Sequence, residues 1–232
     1  MKHQQFLQIT TGKDLNFKEN LFLFLSGIFL TSMIMGNIIG ITKFVEVFGL
    51  TIPIGTLAFP ITFLATDLIC ELYGEKRAQK LVIVGFFMNF FMLAVMSLGN
   101  YLDDAGVSGG TMIYDEVYGF MRAGVIASVI AYAVAQTVDV KMFHFWKRLT
   151  NGKHLWLRNN LSTICSQLVD TIAILSINYM VGNFKGDINS VGALVSLIIS
   201  MYTFKFFSAL FDTPLFYLGV RLLKDKIPPD AE

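Results

Sequence analysis

Long apolar runs separated by short polar segments dominate the chain. Six of these runs reach about 20 residues, the length of helix that crosses a hydrocarbon core about 30 Å thick. They lie near 21–42, 50–73, 81–99, 122–146, 158–182 and 191–219. The pattern therefore predicts an all-α, polytopic membrane protein with six transmembrane helices.

Two of the runs carry features that set them apart. The second contains Pro53 and Pro60. Proline in a membrane helix frees backbone carbonyls, so we expect this helix to bend or to start late. The third run is the plainest, with Asn89 as its main polar residue. We expect it to face lipid.

Lysine and arginine are distributed unevenly over the segments that flank the runs. Fourteen lie in or beside the two tails and the segments after the second and fourth runs, against Lys43, Arg122 and Lys185 on the other side. By the positive-inside rule, both termini are predicted to be cytoplasmic. This divides the chain into a cytoplasmic N-tail (1–20), a six-helix transport domain (21–219) and a cytoplasmic C-tail (220–232). The expected location is the bacterial inner membrane.

Composition agrees with a membrane chain. Of 232 residues, 54% are hydrophobic and 15% are charged, whereas soluble domains carry about a quarter charged residues. The net charge of +1 gives no indication of nucleic-acid binding. Cys70 and Cys165 lie inside apolar runs, so we expect packing thiols rather than a disulfide. The polar start lacks a signal-peptide layout, so the first run is expected to remain as a membrane helix.

Five ionisable residues lie well inside the runs. They are Asp67, Asp139, Asp170, Lys205 and Asp212. Each such group costs about 2.5–3.5 kcal/mol near the bilayer centre on insertion scales, so the five must face one another or a watery cavity. Lys205 has two interpretations: it neutralises Asp170 or Asp212 as an ion pair, or it contacts a substrate.

Polar residues on four runs share helix faces. The four stripes are Asp67 and Glu71; Tyr132, Gln136 and Asp139; Thr163, Gln167 and Asp170; and Lys205, Ser208 and Asp212. We expect all four to point at one cavity that runs from the midplane toward the cytoplasm. A polar cavity inside an apolar bundle indicates a transporter of a small molecule.

Several of these residues have a structural alternative. Glu71 lies near the inner edge, where it can reach Lys76 and Arg77. Asp139 lies beside Lys141 and His144, which allows pairing at the interface instead of substrate contact.

Two further patterns bear on the arrangement of the helices. Asn37 lies within Gly36-x-x-x-Gly40, a close-packing motif, so it contacts either another helix or a ligand. Gln136-Thr137-Val138-Asp139 is echoed by Gln167-Leu168-Val169-Asp170, which would form an inverted pair because the two helices cross in opposite directions.

The outer segment near 100–121 is rich in acidic residues and tyrosines. It is either a solvated connector or a gate.

Four segments carry a resemblance to a known family. They are FPITFLATDLICELYGEKRA (59–78), AYAVAQTVDVKMFHFWKRL (131–149), STICSQLVDTIAI (162–174) and YTFKFF (202–207). Together they resemble the queuosine precursor transporters, a vitamin-uptake-like integral membrane family, over nearly the whole chain after residue 20. The family's fifth helix often has Asn where Gln167 stands here.

The resemblance implies uptake of 7-deazaguanine compounds, such as the cyano and aminomethyl precursors, queuine or the nucleoside. Such a base is flat, with ring N–H and amine donors on one edge and a carbonyl acceptor. Carboxylates suit the donors, amides suit either kind of group, and an ammonium suits the carbonyl. The candidate substrate-binding residues are Asn37, Phe59, Asp67, Tyr132, Gln136, Asp139, Gln167, Asp170 and Lys205. Phe63, Tyr202 and Phe206 are further candidates for stacking.

Other functions remain open at this point. A vitamin-binding subunit of an ATP-driven importer would need partner chains, because no G-x-x-x-x-G-K-[ST] sequence is present. An intramembrane aspartyl hydrolase would use two aspartates such as Asp139 and Asp170, but its Gly-x-Gly-Asp element is missing. His3, His144 and His154 are scattered, which speaks against a metal site. We expect no enzymatic activity and no cofactor. The expected partners are a nucleobase-like substrate and lipid but no nucleic acid, with a homodimer left open.

Overall fold

The computed structural model describes residues 2–106, 109–151, 155–184, 186 and 188–224. Within these ranges the side chains of 2–16, 75, 136, 139–140, 143–144, 147, 155–160 and 162 are not described. The elements are α1 (Lys2–Ile38), β1 (Phe44–Val47), β2 (Leu50–Pro53), a 3₁₀ turn (Ile54–Ala58), α2 (Phe59–Tyr73), α3 (Glu75–Tyr101), α4 (Thr111–Leu149), α5 (Leu155–Met180) and α6 (Val191–Leu223).

Five helical segments among the described residues are long and apolar enough to cross a membrane. They are Phe17–Ile38, Ile54–Tyr73, Lys76–Tyr101, Thr111–Ala135 and Val191–Leu223. The predicted mainly helical, polytopic architecture is therefore confirmed. The fifth predicted run lies in α5, whose side chains at 155–160 and 162 are outside the described ones, so the described residues do not test this span. The sixth span and the side of the termini stay predictions.

The connection between the first two spans differs from the prediction. α1 ends at Ile38 rather than near 42, and the predicted start of the second run at residue 50 lies in β2 of an antiparallel hairpin. The second helix does start late, as expected: a 3₁₀ turn precedes it, and Pro60 lies in its first turn. Proline is tolerated there because the first N–H groups of a helix have no intrahelical partner.

The predicted outer loop near 100–121 is also shorter than expected, because α4 begins before the predicted fourth span of 122–146 and continues through it. α3 runs to Tyr101 and α4 begins at Thr111, so about nine residues connect them. The tyrosines that suggested a loop instead attach α4 to α3. The Tyr114 hydroxyl donates to the Met96 carbonyl at 2.7 Å, and the Tyr118 hydroxyl donates to Ser97 Oγ at 3.1 Å.

The connector itself is held by one acidic side chain. The carboxylate of Asp104 accepts hydrogen bonds from the Thr111 hydroxyl and the Gly106 N–H. These two hydrogen bonds lower the pKa of Asp104 below its ordinary value, and the bond from the Thr111 hydroxyl contributes most.

The chain divides into two compact units, which we describe separately. Unit 1 comprises the described residues of Met1–Met35, Ala58–Met88 and Phe207–Glu232. Its core includes Leu25, Phe29, Leu68 and Ile69.

Contacts within unit 1 fix the directions of its helices. Gly219 of α6 lies against Leu68 of α2, and Lys224 pairs with Glu71 three residues further along α2 at 3.9 Å. Both contacts advance in the same chain direction, so α2 and α6 run parallel.

Unit 2 comprises the described residues of Gly36–Leu57 and Asn89–Phe206. Its core joins the hairpin to α5 and α6, with Ile52 fully buried among residues that include Leu175, Leu197 and Met201. α4 packs against α5 in this unit. Both cysteines of the chain, Cys70 in unit 1 and Cys165 in unit 2, are thiols.

Candidate functional site

An ion pair joins α5 and α6 inside unit 2. Lys205 Nζ donates to Asp170 Oδ2 at 3.0 Å, and the lysine side chain is only 1% exposed. The aspartate side chain keeps 25% of its surface exposed. A buried ammonium needs a charged partner because it has left its hydration shell. Of the two partners predicted from the sequence, the structure pairs Lys205 with Asp170.

This geometry leaves the carboxylate of Asp170 able to bind a further donor. A carboxylate offers about four lone-pair sites, and Lys205 uses one oxygen. Gln167 lies nearly one turn before Asp170 on α5 and is half-buried. Tyr202 lies nearly one turn before Lys205 on α6, and its hydroxyl donates to the Ile164 carbonyl at 3.3 Å. Asp170 of the α5 stripe and Lys205 of the α6 stripe therefore meet within unit 2.

The stripe predicted on α4 is described only in part. Tyr132 is 42% exposed. The side chains of Gln136 and Asp139 lie outside the described ones, so their predicted roles and the inverted echo with Gln167 and Asp170 remain predictions.

A second group of polar and aromatic side chains lies on α2 in unit 1. Phe59, Phe63 and Asp67 follow one another at intervals of four residues, which places them on one helix face with about 6 Å of rise between neighbours. The two rings are 4.4 Å apart between centroids and tilted by 53°. The hydroxyls of Thr62 and Thr66 donate to the helix backbone. Asp67 is exposed at the surface of the chain.

Asp67 and Asp212 form a like-charged neighbourhood between α2 and α6. The two carboxylates are close enough to interact electrostatically. Within the described part of the chain, neither has a hydrogen bond or an ion pair. A carboxylate in a membrane span is costly unless it meets water, a cation or a donor. Asp67 is therefore an open acceptor on α2, exposed and without a hydrogen-bond partner among the described residues.

Glu71 has a different partner from the ones predicted. It pairs with Lys224, while Arg77 lies 3.8 Å from Glu19. Both pairs are exposed, so each contributes little to stability.

Asn37 contacts other helices, which is one of its two predicted roles. Its Nδ2 donates to Asn89 Oδ1 at 2.8 Å, and its Oδ1 accepts from the Ser128 hydroxyl at 3.1 Å. Asn89 is only 2% exposed. The third run therefore does not face lipid all round: Phe91 is exposed on α3, while Asn89 lies on a packed side. Ser128 was missed, since a lone serine in an apolar run gives little signal.

The structure thus gathers the predicted site residues into two groups. Asp170, Lys205 and Gln167 lie together in unit 2, and Phe59, Asp67 and Asp212 belong to unit 1. The convergence of all four stripes on one cavity remains a prediction. No group of three or more His, Cys, Asp or Glu side chains among the described residues is placed to hold a metal ion.

Comparison with protein families gives one match that covers most of the chain. Residues 53–219 match the family model described as "putative vitamin uptake transporter". This range contains the four segments quoted above, and both groups of polar residues fall inside it. No solved structure matches the chain.

Three curated bacterial proteins are similar to this chain. A "probable queuosine precursor transporter" from Bacillus subtilis (strain 168) is 29% identical over 184 residues, which is 79% of this chain and 78% of the relative. A protein with the same description from Haemophilus influenzae (strain ATCC 51907 / DSM 11121 / KW20 / Rd) is 32% identical over 54% of this chain and 51% of the relative. The "queuosine precursor transporter" of Escherichia coli (strain K12) is 27% identical over 58% of both chains. The chain thus spans somewhat more than half the length of the latter two.

Proposed function

The chain belongs to the putative vitamin uptake transporter family, and from this premise we propose that it imports queuosine precursors for tRNA queuosine salvage. Membership confirms the resemblance carried by the quoted segments. The chain is a multi-pass bacterial membrane protein, and three of its relatives are named as transporters of queuosine precursors. The proposed cargo is a 7-deazaguanine base, such as 7-cyano-7-deazaguanine, its aminomethyl form or queuine.

The observation that carries this choice of cargo is the face of α2 formed by Phe59, Phe63 and Asp67. A flat heteroaromatic ring stacks on phenylalanine rings, and its donor edge offers a ring N–H and an amine to a carboxylate. Asp67 lies about one turn beyond the aromatic pair and accepts no hydrogen bond from the described residues. This spacing supports recognition of a base whose face and donor edge are read by neighbouring turns.

The ion pair of unit 2 supplies complementary chemistry in this proposal. Lys205 donates to the carbonyl of the base when the cargo reaches it, and Asp170 accepts a donor through its exposed part. Tyr132, Gln136, Asp139 and Gln167 are the further cargo contacts proposed within unit 2. Asn37 acts through helix packing, because both ends of its amide are already hydrogen-bonded.

We also propose six spans with both termini cytoplasmic. The parallel packing of α2 and α6 supports this number. Two spans point the same way only if an odd number of crossings separates them. α3 and α4 supply two crossings, and in this proposal α5 supplies the third. The excess of lysine and arginine on one side supports the orientation.

The cargo is tested by expressing this chain in host cells that lack their own synthesis and import of these bases. Uptake of each base is then measured. Asp67→Asn places an N–H₂ group against the donor edge, and a buried donor without its partner costs about 1–3 kcal/mol. We therefore expect affinity for a 7-deazaguanine to fall by about tenfold or more. An analogue without the exocyclic amine should be taken up poorly by the parent and lose much less from the substitution.

Glu71→Gln is the matched control, because Glu71 lies one turn further along α2 and is paired with Lys224. Its uptake should equal that of the parent. Equal losses for both ligands in the Asp67→Asn variant would contradict recognition of the base by this carboxylate. Absence of uptake of any precursor by the parent chain would contradict the transport function itself.

A further inference from the structure

The hairpin between α1 and α2 ends in an unusual turn. Val47 pairs with Leu50, so Phe48 and Gly49 form the two-residue loop. Both have positive φ, 51° for Phe48 and 76° for Gly49. Positive φ at both central positions defines a type I′ turn, whose first position favours asparagine, aspartate or glycine.

Phenylalanine is unfavourable at this position for two independent reasons. A bulky side chain at positive φ strains the backbone. The ring also gains nothing from packing within the chain, because Phe48 is 99% exposed. A strained residue without internal contacts indicates a contact outside the chain.

The position of the hairpin specifies what that contact is. Ile52 of β2 belongs to the same buried cluster as Leu194, Leu197 and Met201 of α6. These lie 3 to 10 residues inside the apolar segment that begins at Val191, about 5–15 Å along the helix axis. The base of the hairpin therefore packs beside a membrane-spanning helix near its end.

Physical chemistry then selects the depth within the membrane. The open strand edges of a two-stranded hairpin are not tolerated against the hydrocarbon centre, where their peptide groups would lack partners. At the membrane–water interface those groups find water, and aromatic rings are favoured. Lys43, just before β1, is exposed and suits the phosphate of a lipid headgroup.

We propose that Phe48 inserts into the boundary between lipid headgroups and acyl chains and anchors the hairpin in the membrane. The occupant of this surface is the lipid itself. The anchor fixes the depth of the connection between α1 and α2, and it operates whatever molecule the chain transports.

Tryptophan fluorescence in liposomes tests the depth. Phe48→Trp is introduced into a chain in which Trp146 and Trp156 are replaced by Phe. Two further single-tryptophan variants serve as rulers: Ala105→Trp in the connector after α3 for water, and Phe91→Trp in the middle of α3 for the acyl region. Quenching is measured with aqueous iodide and with lipids that carry nitroxides at shallow or deep acyl positions.

We expect shallow nitroxides to quench the Phe48→Trp variant more strongly than deep ones, with iodide quenching at least threefold weaker than for the Ala105→Trp ruler. Iodide quenching equal to that ruler would place the tip in water and overturn the proposal. Protection that disappears when protein is diluted into excess lipid would point to a second copy as occupant, which overturns it too. A response of the Phe48→Trp fluorescence to added 7-deazaguanine would assign the hairpin tip to the cargo path and would also overturn the proposal.

A second probe covers the case in which tryptophan at the strained position prevents folding. Phe48→Cys, in a background of Cys70→Ser and Cys165→Ser, carries a nitroxide side chain. Its accessibility to oxygen should exceed its accessibility to a water-soluble nickel complex. The reverse ranking would overturn the proposal.

Discussion

At the scale of single residues, the pairing of Lys205 with Asp170 yields the sharpest prediction. Lys205→Ala leaves the Asp170 carboxylate without its partner at 3.0 Å, and breaking a buried ion pair costs about 3–5 kcal/mol. We expect a strong loss of folded protein in detergent, measured as melting temperature and yield. Adding Asp170→Asn should recover much of it, because the unpaired charge is then removed.

Asp212→Asn is the matched control for this cycle. Asp212 lies two turns further along α6 and interacts with Asp67 instead. It should not rescue Lys205→Ala. Additive effects of Lys205→Ala and Asp170→Asn would contradict the coupling, and rescue by Asp212→Asn would assign the pair differently.

The sequence predicts that such a residue has a buried partner, but it does not identify that partner. Helical periodicity placed Lys205, Asp170 and Asp212 on inward faces, but it contains no distance between helices. The Asn37–Asn89–Ser128 contacts show the same limit, since a polar residue in an apolar run signals a buried partner without identifying it. The structure supplies the partner because packing brings the three side chains within hydrogen-bond distance.

At the scale of elements, three glycines hold the end of α1 against the turn that precedes α2. A Cβ on Gly55 would lie 2.6 Å from Gly40 Cα and 2.7 Å from the Gly36 carbonyl oxygen. Both atoms belong to the backbone, so neither can rotate away. Gly55→Ala should destabilise the protein by about 1–3 kcal/mol, the usual cost of overpacking, seen as a lower melting temperature in detergent.

Gly27→Ala provides the comparison within α1. No atom lies within 4 Å of a Cβ at Gly27, and alanine is the better helix former by about 1 kcal/mol. The variant should be as stable as the parent or slightly more stable. Equal melting temperatures for the Gly55→Ala and Gly27→Ala variants would contradict the close approach of the two backbones.

Elements were predicted well where an apolar run is long and poorly where an element is only a few residues long. Five apolar helices and the late start of α2 follow from run length and Pro60. The hairpin was missed because four-residue strands of apolar residues between two apolar runs look like helix. The start of α4 was missed because Tyr114 and Tyr118, which attach it to α3, resemble the polar residues of a loop.

At the scale of the whole molecule, the directions of the helices bear on how many times the chain crosses the membrane. α1 and α3 run parallel in unit 1, because Arg77 lies near Glu19 while Gly85 lies against Met33 further along both helices. α2 and α6 are parallel as well. Helices that run parallel across a membrane are separated by an odd number of crossings, so both parallel pairs bear on how often the chain crosses the bilayer.

The crossing of α5 can be tested directly, and it is the predicted span that the described residues leave open. Leu149 ends α4 and is 64% exposed, and Asn189 is exposed just before α6. Each is replaced by cysteine in a chain with Cys70→Ser and Cys165→Ser. If α5 crosses the bilayer, a membrane-impermeant maleimide added to intact cells labels the Asn189→Cys variant and leaves the Leu149→Cys variant unlabelled until the cells are opened. Labelling of both from the same side would reduce the chain to five spans and make α2 and α6 antiparallel. The contact of Leu68 with Gly219 and the pairing of Glu71 with Lys224 would then have to be abandoned together.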